Sequence, residues 1–362
     1  MRPDGNFRDT GRTWIEVDLS ALAANARTIA ARAGAARLLP MIKADAYGLG
    51  AVSVARALER LDPWGYGVVS ADEGRELRDA GITRPIAVFS PVTAELEQVA
   101  AAGLTPVLGS VEQVRAWLAL AGNARAFHVQ FDTGMCRSGI WWEAAASVQA
   151  EFAAAPGFEG ACTHFHSADS DPASVGRQLE RFAAVLAALP RRPALVHAAN
   201  SNAALRLGRG VAFDAIRPGI FLYGGAAAGE RGQPVVSWRA RMVEVNRRPA
   251  GETVSYGATW ALARPSVLAT VSVGYADGLP RALGNSGAML LGGRRHPIAG
   301  RVTMDLTVLD LGDDVPDLSA VATLIGRDGA EEITVDEIAD QVGTISYEIF
   351  TGLGNRVRRV YV

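Results

Sequence analysis

The chain has 362 residues, of which 49% are hydrophobic and 20% charged, so it can bury a sizeable core and is not a disordered segment. A formal net charge of -2 argues against nucleic acid or an anionic membrane as the main partner, and two cysteines are too few for a disulfide framework. The first twelve residues form a polar N-terminal tail without the apolar stretch of a signal peptide, and no run is long enough to span a membrane. The expectation is a cytoplasmic enzyme of two parts.

From about Arg37 the pattern is strand, polar turn, amphipathic helix, repeated. Expected strands are Leu38–Lys43, Gly65–Ser70, Pro85–Phe89, Thr105–Leu108, Phe127–Asp132, Gly160–Phe165, Leu195–Ala199 and Ala215–Tyr223. Between them, Ser70-Ala71-Asp72-Glu73 and Ser110-Val111-Glu112-Gln113 read as capping boxes, and Gly81 and Gly103 are placed to end helices. This alternation suggests an α/β fold, a (β/α)8 TIM-like barrel over residues 13–230, with its first strand a candidate to pair with the C-terminal domain. Gly224–Gln233 reads as the linker.

Residues 231–362 change character to a mostly β domain. Val302, Met304, Leu306 and Val308 alternate with polar residues, as a strand would. Leu290-Leu291-Gly292-Gly293-Arg294 reads as a hairpin, Thr334 to Gly343 as one capped helix, and Arg356–Val362 alternates again.

A parallel barrel works at the carboxyl ends of its strands. Those ends carry Lys43, Asp132 with Arg137, His164 with His166, Asn200 with Ser201, and Arg217 with Gly219. Lys43 follows the apolar stretch Leu38-Leu39-Pro40-Met41-Ile42, where desolvation lowers an ammonium's pKa and favours a neutral amine able to form a Schiff base. An amine, a histidine, an arginine and small anion-holding residues on one rim suit an aldehyde cofactor bearing a phosphate, which is pyridoxal 5'-phosphate.

The order and spacing of Lys43–Gly50, Asp132-Thr133-Gly134-Met135, Thr163-His164-Phe165, Asn200-Ser201, Arg217-Pro218-Gly219, Ser255-Tyr256-Gly257-Ala258, Val273–Gly278, Met304-Asp305 and the segment from Arg356 to Tyr361 resemble the alanine racemases over nearly the whole chain. The resemblance implies that Lys43 holds the cofactor and serves as one base, with Tyr275 the other base on the opposite face of the substrate α-carbon. An ordinary tyrosine is a poor base near neutral pH, so cationic neighbours are required. The resemblance further implies that Tyr47, His164, Asn200, Ser201, Arg217, Gly219, Ile220 and Tyr347 meet the cofactor. Arg137 and Met304 would meet the substrate side, and His197 and Arg241 would belong to the surrounding polar shell. Arg217 would face the pyridine nitrogen. A head-to-tail homodimer is implied, in which Tyr275 and Met304 reach the partner's site.

Two positions depart from the family. Gln130 stands where a lysine, often carbamylated, orients the arginine equivalent to Arg137. It would leave that task to a bound anion or to its own hydrogen bond with Arg137. His166 stands where a small residue is usual, and His164 and His166 on one strand can also be read as a metal pair. His128 and His296 read as structural or solvated, Cys136 as a small residue near the site. The reading is an L- and D-alanine racemase. A serine or broad-specificity racemase is the nearest rival, and a non-catalytic pyridoxal-phosphate carrier is the rival of another class.

Overall fold

The computed structural model describes residues 11–362. The expected polar tail, apart from Gly11 and Arg12, lies outside the described residues. The chain divides into two compact units. One is Ala23–Leu222 with Ala226–Gly232; the other is Gln233–Val362 with Tyr223–Gly225 and the chain up to Leu22.

The first strand, β1 (Thr13–Val17), belongs to the second of these. In the first, eight parallel strands follow one another around a sheet: β2 (Arg37–Leu38), β3 (Tyr66–Val68), β4 (Ile86–Phe89), β5 (Thr105–Leu108), β6 (Phe127–Asp132), β7 (Phe158–Cys162), β8 (Leu195–Asn200) and β9 (Ala215–Arg217). β9 pairs with β2, and a parallel bridge between Met41 and Gly67 joins the β2 segment to β3, so the ring closes. Leu39, Trp64, Ala87, Val107, Cys162, Leu195 and Ala215, drawn from around the ring, form a buried cluster inside it. Closure removes every sheet edge, and the filled interior makes the barrel a core and not a pore.

The expected strand Leu38–Lys43 is mostly not ladder. Pro40 has no N–H to give, and Ala44, Asp45, Ala46 and Tyr47 then take φ of 51°, 52°, 53° and 59°, one turn of left-handed helix. Such a turn costs roughly 1–2 kcal/mol for each L-residue. Several bonds hold it, three of them at 2.7–2.8 Å. Ala46 N–H donates to the Ile42 carbonyl (2.8 Å), Asp45 Oδ1 accepts from Ala51 N–H (2.7 Å), and Glu73 Oε1 accepts from Ala44 N–H (2.7 Å).

The helix Ala71–Asp79 begins as expected, with Ser70 Oγ accepting from Glu73 N–H. The reciprocal half differs: Glu73 turns its carboxylate to Val69 N–H (2.8 Å) and Ala44 N–H, not to Ser70. The helix cap thereby braces the turn that follows Lys43. β7 ends at Cys162, three residues before the expected limit, and β9 ends at Arg217 and passes into a 3-10 turn, Ile220–Tyr223. Both chains leave the ladder where their side chains are needed at the rim.

In the second unit, the long strand β10 (Val236–Arg248) is the organiser. It pairs antiparallel with β1, with β11 (Ser266–Val271) and with β15 (Val321–Asp328), while β1 also pairs parallel with β17 (Arg358–Tyr361). The double glycine turns the hairpin of β12 (Ala288–Leu291) and β13 (Arg294–Pro297), and β16 (Glu331–Ile333) precedes the helix Val335–Val342, capped by Thr334 and stopped at Gly343. The expected strand over Val302–Val308 starts only at Thr307, as β14 (Thr307–Gly312). Thr303 breaks the alternation: its N–H and hydroxyl both reach the Leu306 carbonyl, making a tight turn. The expected linker holds a two-plus-two-residue hairpin, Ala226–Ala227 with Glu230–Arg231.

Candidate active site

Lys43 is partly buried at the mouth of the left-handed turn. Burial holds its pKa below the ordinary lysine value, the Arg137 charge adds to that, and Glu73 opposes it. Glu73 is a site residue that sequence reading missed. Its capping-box position was legible in the sequence, but its reach to Ala44, 29 residues away, was not.

Arg217 is buried, and five backbone and ring acceptors surround its two terminal nitrogens closely. Nη1 donates to His197 Nδ1 and to the His197 carbonyl, both at 2.8 Å. Nη2 donates to the carbonyls of Thr163 (2.8 Å) and Ala198 (2.9 Å), with His164 Nδ1 at 3.1 Å. No hydrogen bond of Nε is formed among the described residues, so this one N–H remains for a further acceptor. The Phe89 ring lies 5.7 Å from the guanidinium. Burial lowers the pKa of Arg217, yet a guanidinium starts so high that it keeps its proton.

The same burial and the same cations push His164 down to about 3, with Arg217, Arg137 and Lys43 contributing in that order. His164 is therefore a neutral ring at any ordinary pH. His197, fully buried, is held well below the usual histidine range by burial and by Arg217.

Arg137 is exposed, on the loop after β6. Asp132 shapes that loop: Oδ1 accepts from the N–H groups of Gly134 (2.8 Å) and Cys136 (3.1 Å), and Oδ2 from Arg137 N–H (3.2 Å). Gln130 does not bond Arg137. Its Nε2 donates to the Ser138 carbonyl at 2.6 Å, so it steadies the far end of the same loop. A neutral amide at this position thus braces backbone where a charge would have acted on the guanidinium.

Ser201 and Gly219 meet directly, the Gly219 N–H donating to Ser201 Oγ at 2.9 Å. A Cβ on Gly219 would lie 2.3 Å from Tyr47 Oη, so the bare backbone of Gly219 is what admits the tyrosine. Asn200 caps the helix Ser201–Leu207 through Oδ1 and Ala203 N–H. Ile220 is buried.

His166 does not share a strand with His164, because β7 has already ended. It is exposed and bonded to Ser167. Among the described residues no three His, Cys, Asp or Glu side chains gather as metal ligands would.

Tyr275, Met304 and Tyr347 belong to the other unit and are exposed. Tyr275 opens the short 3-10 turn Tyr275–Asp277, and two backbone bonds join that turn to the Met304 segment: Tyr275 N–H to the Thr303 carbonyl and Ala276 N–H to the Met304 carbonyl, both 3.0 Å. At Gly274 any Cβ would stand 2.3 Å from the Thr303 oxygen, so glycine alone permits the approach. Arg356 ties the assembly, bonding Asp277 at 2.6 Å and Asp305 at 2.7 Å. Arg241 lies in this unit as well, 5.3 Å from the centre of the Trp14 ring.

Residues 17–227 match the model of the alanine racemase N-terminal domain and residues 235–361 that of the C-terminal domain. An alanine racemase of Carboxydothermus hydrogenoformans is 38% identical over 372 residues, covering 96% of this chain and 99% of its own. Among solved structures, the alanine racemase from Bartonella henselae with covalently bound pyridoxal phosphate is similar at a TM-score of 0.89 and 31% identity, over 97% of this chain and 100% of that one. The alanine racemase from Bacillus anthracis with bound L-Ala-P is similar at a TM-score of 0.89 and 32% identity, over 97% and 95%.

Proposed function

We propose that Lys43 and Tyr275 are the two bases of this chain, which belongs to the alanine racemase family and interconverts L- and D-alanine with pyridoxal phosphate. The observation that carries the assignment is the pairing of a desolvated amine, Lys43, with a buried arginine whose Nε–H has no acceptor among the described residues. That donor set fits the cofactor. Lys43 would hold its aldehyde, Arg217 would face its ring nitrogen, Ser201, Gly219, Ile220 and Tyr347 would surround its phosphate, and Tyr47 and Asn200 would also meet the cofactor. When bound, the group supplies a carbonyl for an amine and an electron-withdrawing ring that acidifies the substrate Cα–H.

The chain's residues do the rest. Racemisation removes a proton from one face and returns one to the other, so a base is needed on each side. Tyr275 takes the proton of L-alanine and Lys43 that of D-alanine, each returning what the other removes. Lys43 needs a neutral amine for this, and its lowered pKa makes one available nearer to neutral pH. Arg217 can donate but never accept, so it would engage the ring nitrogen without protonating it. It would thereby temper the electron withdrawal that the group supplies and limit side reactions. Neutral His164 adds no positive charge to that balance. Arg137 and the backbone of Met304 would receive the substrate carboxylate and its surroundings.

A homodimer with shared active sites is part of the proposal. Its support is that Tyr275 and Met304 are exposed on loops held rigidly from behind, as residues offered to a partner would be. A cytoplasmic location is supported by two cysteines that are both unpaired. The test is racemisation itself: purified protein, pyridoxal phosphate and L-alanine or L-serine, with D-isomer measured by chiral chromatography. D-alanine should form much faster than D-serine. Comparable rates would make this a broad-specificity racemase, and a protein that binds the cofactor yet yields no D-isomer would sink the reading.

A further inference from the structure

We propose that Glu159 is a positioning residue for Arg217, acting through His128 and His197 as a three-membered relay whose tautomers are set from the carboxylate end. The proposal rests on the reading of Arg217 given above. His128 is fully buried and takes no part in the chemistry so far described. Its Nδ1 lies 3.1 Å from His197 Nε2, and its Nε2 lies 3.3 Å from Glu159 Oε2. At the other end His197 Nδ1 receives the Arg217 Nη1 donor at 2.8 Å.

The protons along this line can be counted. A guanidinium nitrogen only donates, so His197 Nδ1 must accept and its proton must sit on Nε2. That Nε2–H then needs an acceptor, which makes His128 Nδ1 the acceptor and places the His128 proton on Nε2. That proton in turn needs an acceptor, and the Glu159 carboxylate is there. Every donor meets an acceptor only in this one arrangement. Reversing either ring sets two N–H groups face to face in a site without water access to relieve them.

Local structure supports the relay from the backbone. Strands β6 and β7 slip register between Phe127 and His128, with Phe127 opposite Phe158 and His128 opposite Gly160, so Glu159 is the extra, bulged residue. A bulge re-aims a side chain, and here the re-aimed one is the carboxylate that reaches His128. Gly160 completes the arrangement: a Cβ there would stand 2.5 Å from the His128 ring. The Glu159 side chain is 34% exposed, so its charge stays solvated while its acceptor oxygen serves a buried ring.

The relay is tested in the holoenzyme with 15N-labelled histidine, reading side-chain nitrogen shifts of His128 and His197 in the wild type, Glu159→Leu and Glu159→Gln. In the wild type both rings should carry the proton on Nε2; a proton on Nδ1 of either overturns the proposal without any variant. Glu159→Leu should give a second population with His197 protonated on Nδ1, and kcat should fall about 10-fold with KM for L-alanine within about 2-fold, the size usual for an outer partner of an active-site group. Glu159→Gln, which still offers an acceptor oxygen, should restore both. Unchanged tautomers in Glu159→Leu, or equal losses in the two variants, overturn the relay. Shifted tautomers with an undiminished kcat overturn the role given to Arg217 and leave the hydrogen-bond chain standing, so the two failures are told apart.

Discussion

The barrel rim and the Tyr275 loop solve the same problem, placing one reactive group, by opposite means. Lys43 and Arg217 are set by burial: a strained left-handed turn fixes one, and a shell of carbonyls and imidazoles fixes the other. Tyr275 is exposed and is set by backbone bonds and a single Arg356–Asp277 pair behind it. Burial changes the chemistry of the group it holds, as the lowered pKa of Lys43 and of His164 shows. Exposure leaves the group available to surroundings that another molecule must supply. On the proposed roles, the base that needs tuning sits in the barrel and the base that needs delivery sits on a loop.

The comparison breaks first at Lys43. Lys43→Ala should lower racemisation in both directions by about 10⁴-fold or more, because one group serves as covalent anchor and as base. Chiral chromatography reads the rate, and loss of the cofactor's visible absorption reads the anchor. A variant that keeps either would remove Lys43 from its role.

Tyr275→Phe separates the two regions more sharply. Proton removal from L-alanine should slow by about 10²–10⁴-fold, with cofactor binding and the thermal midpoint little changed, since only an exposed hydroxyl is lost. Solvent-deuterium incorporation from each enantiomer would show whether the loss is one-sided. Equal wild-type rates in both directions would end the two-base assignment.

A smaller effect belongs to His164 and is one of sign. Its folded pKa of about 3 lies below the ordinary histidine value, so the unfolded chain takes up a proton that the folded chain refuses. The contribution to stability is whole above about pH 6.5 and is lost as pH falls toward 3. Urea midpoints should therefore fall on acidification, and less steeply in His164→Asn. Ring-proton NMR of His164 should show no titration between about pH 5 and 8. A midpoint near 6 would mean that neither burial nor the neighbouring cations act on the ring as described.

The smallest expected change is Gln130→Leu. It removes one buried bond to the Ser138 carbonyl and should cost about 1–3 kcal/mol in stability, with KM for L-alanine raised a few-fold through the Arg137 loop. No change in KM would mean that the loop stands on Asp132 alone.

Much of the chain was legible because strand and helix periods differ and helix caps are local: Ser70 and Ser110 in the barrel, and Thr334 and Gly343 in the other unit, stand where the sequence reading put them. Two strands were read too long. Alternation predicted one over Val302–Val308 and an apolar run predicted the other over Leu38–Lys43, but a Thr303 turn delays the first to Thr307 and the second leaves the ladder at Pro40, before the left-handed turn. His128 was read as structural or solvated and is fully buried, with two ring partners that its residue type alone could not name. Glu73 was read as a cap and turned out to brace the lysine's turn as well.

Sequence alone determined the order of elements, the chemistry gathered at strand ends and the family, because each depends on residue type and spacing along the chain. Only the tertiary structure decided how charged those groups are and what each can still donate. Burial of Lys43, the crowd of acceptors around Arg217 and the bulge that brings Glu159 under His128 all come from residues far apart in sequence. Desolvation and hydrogen-bond saturation are properties of a place, and the place exists only once the barrel has closed.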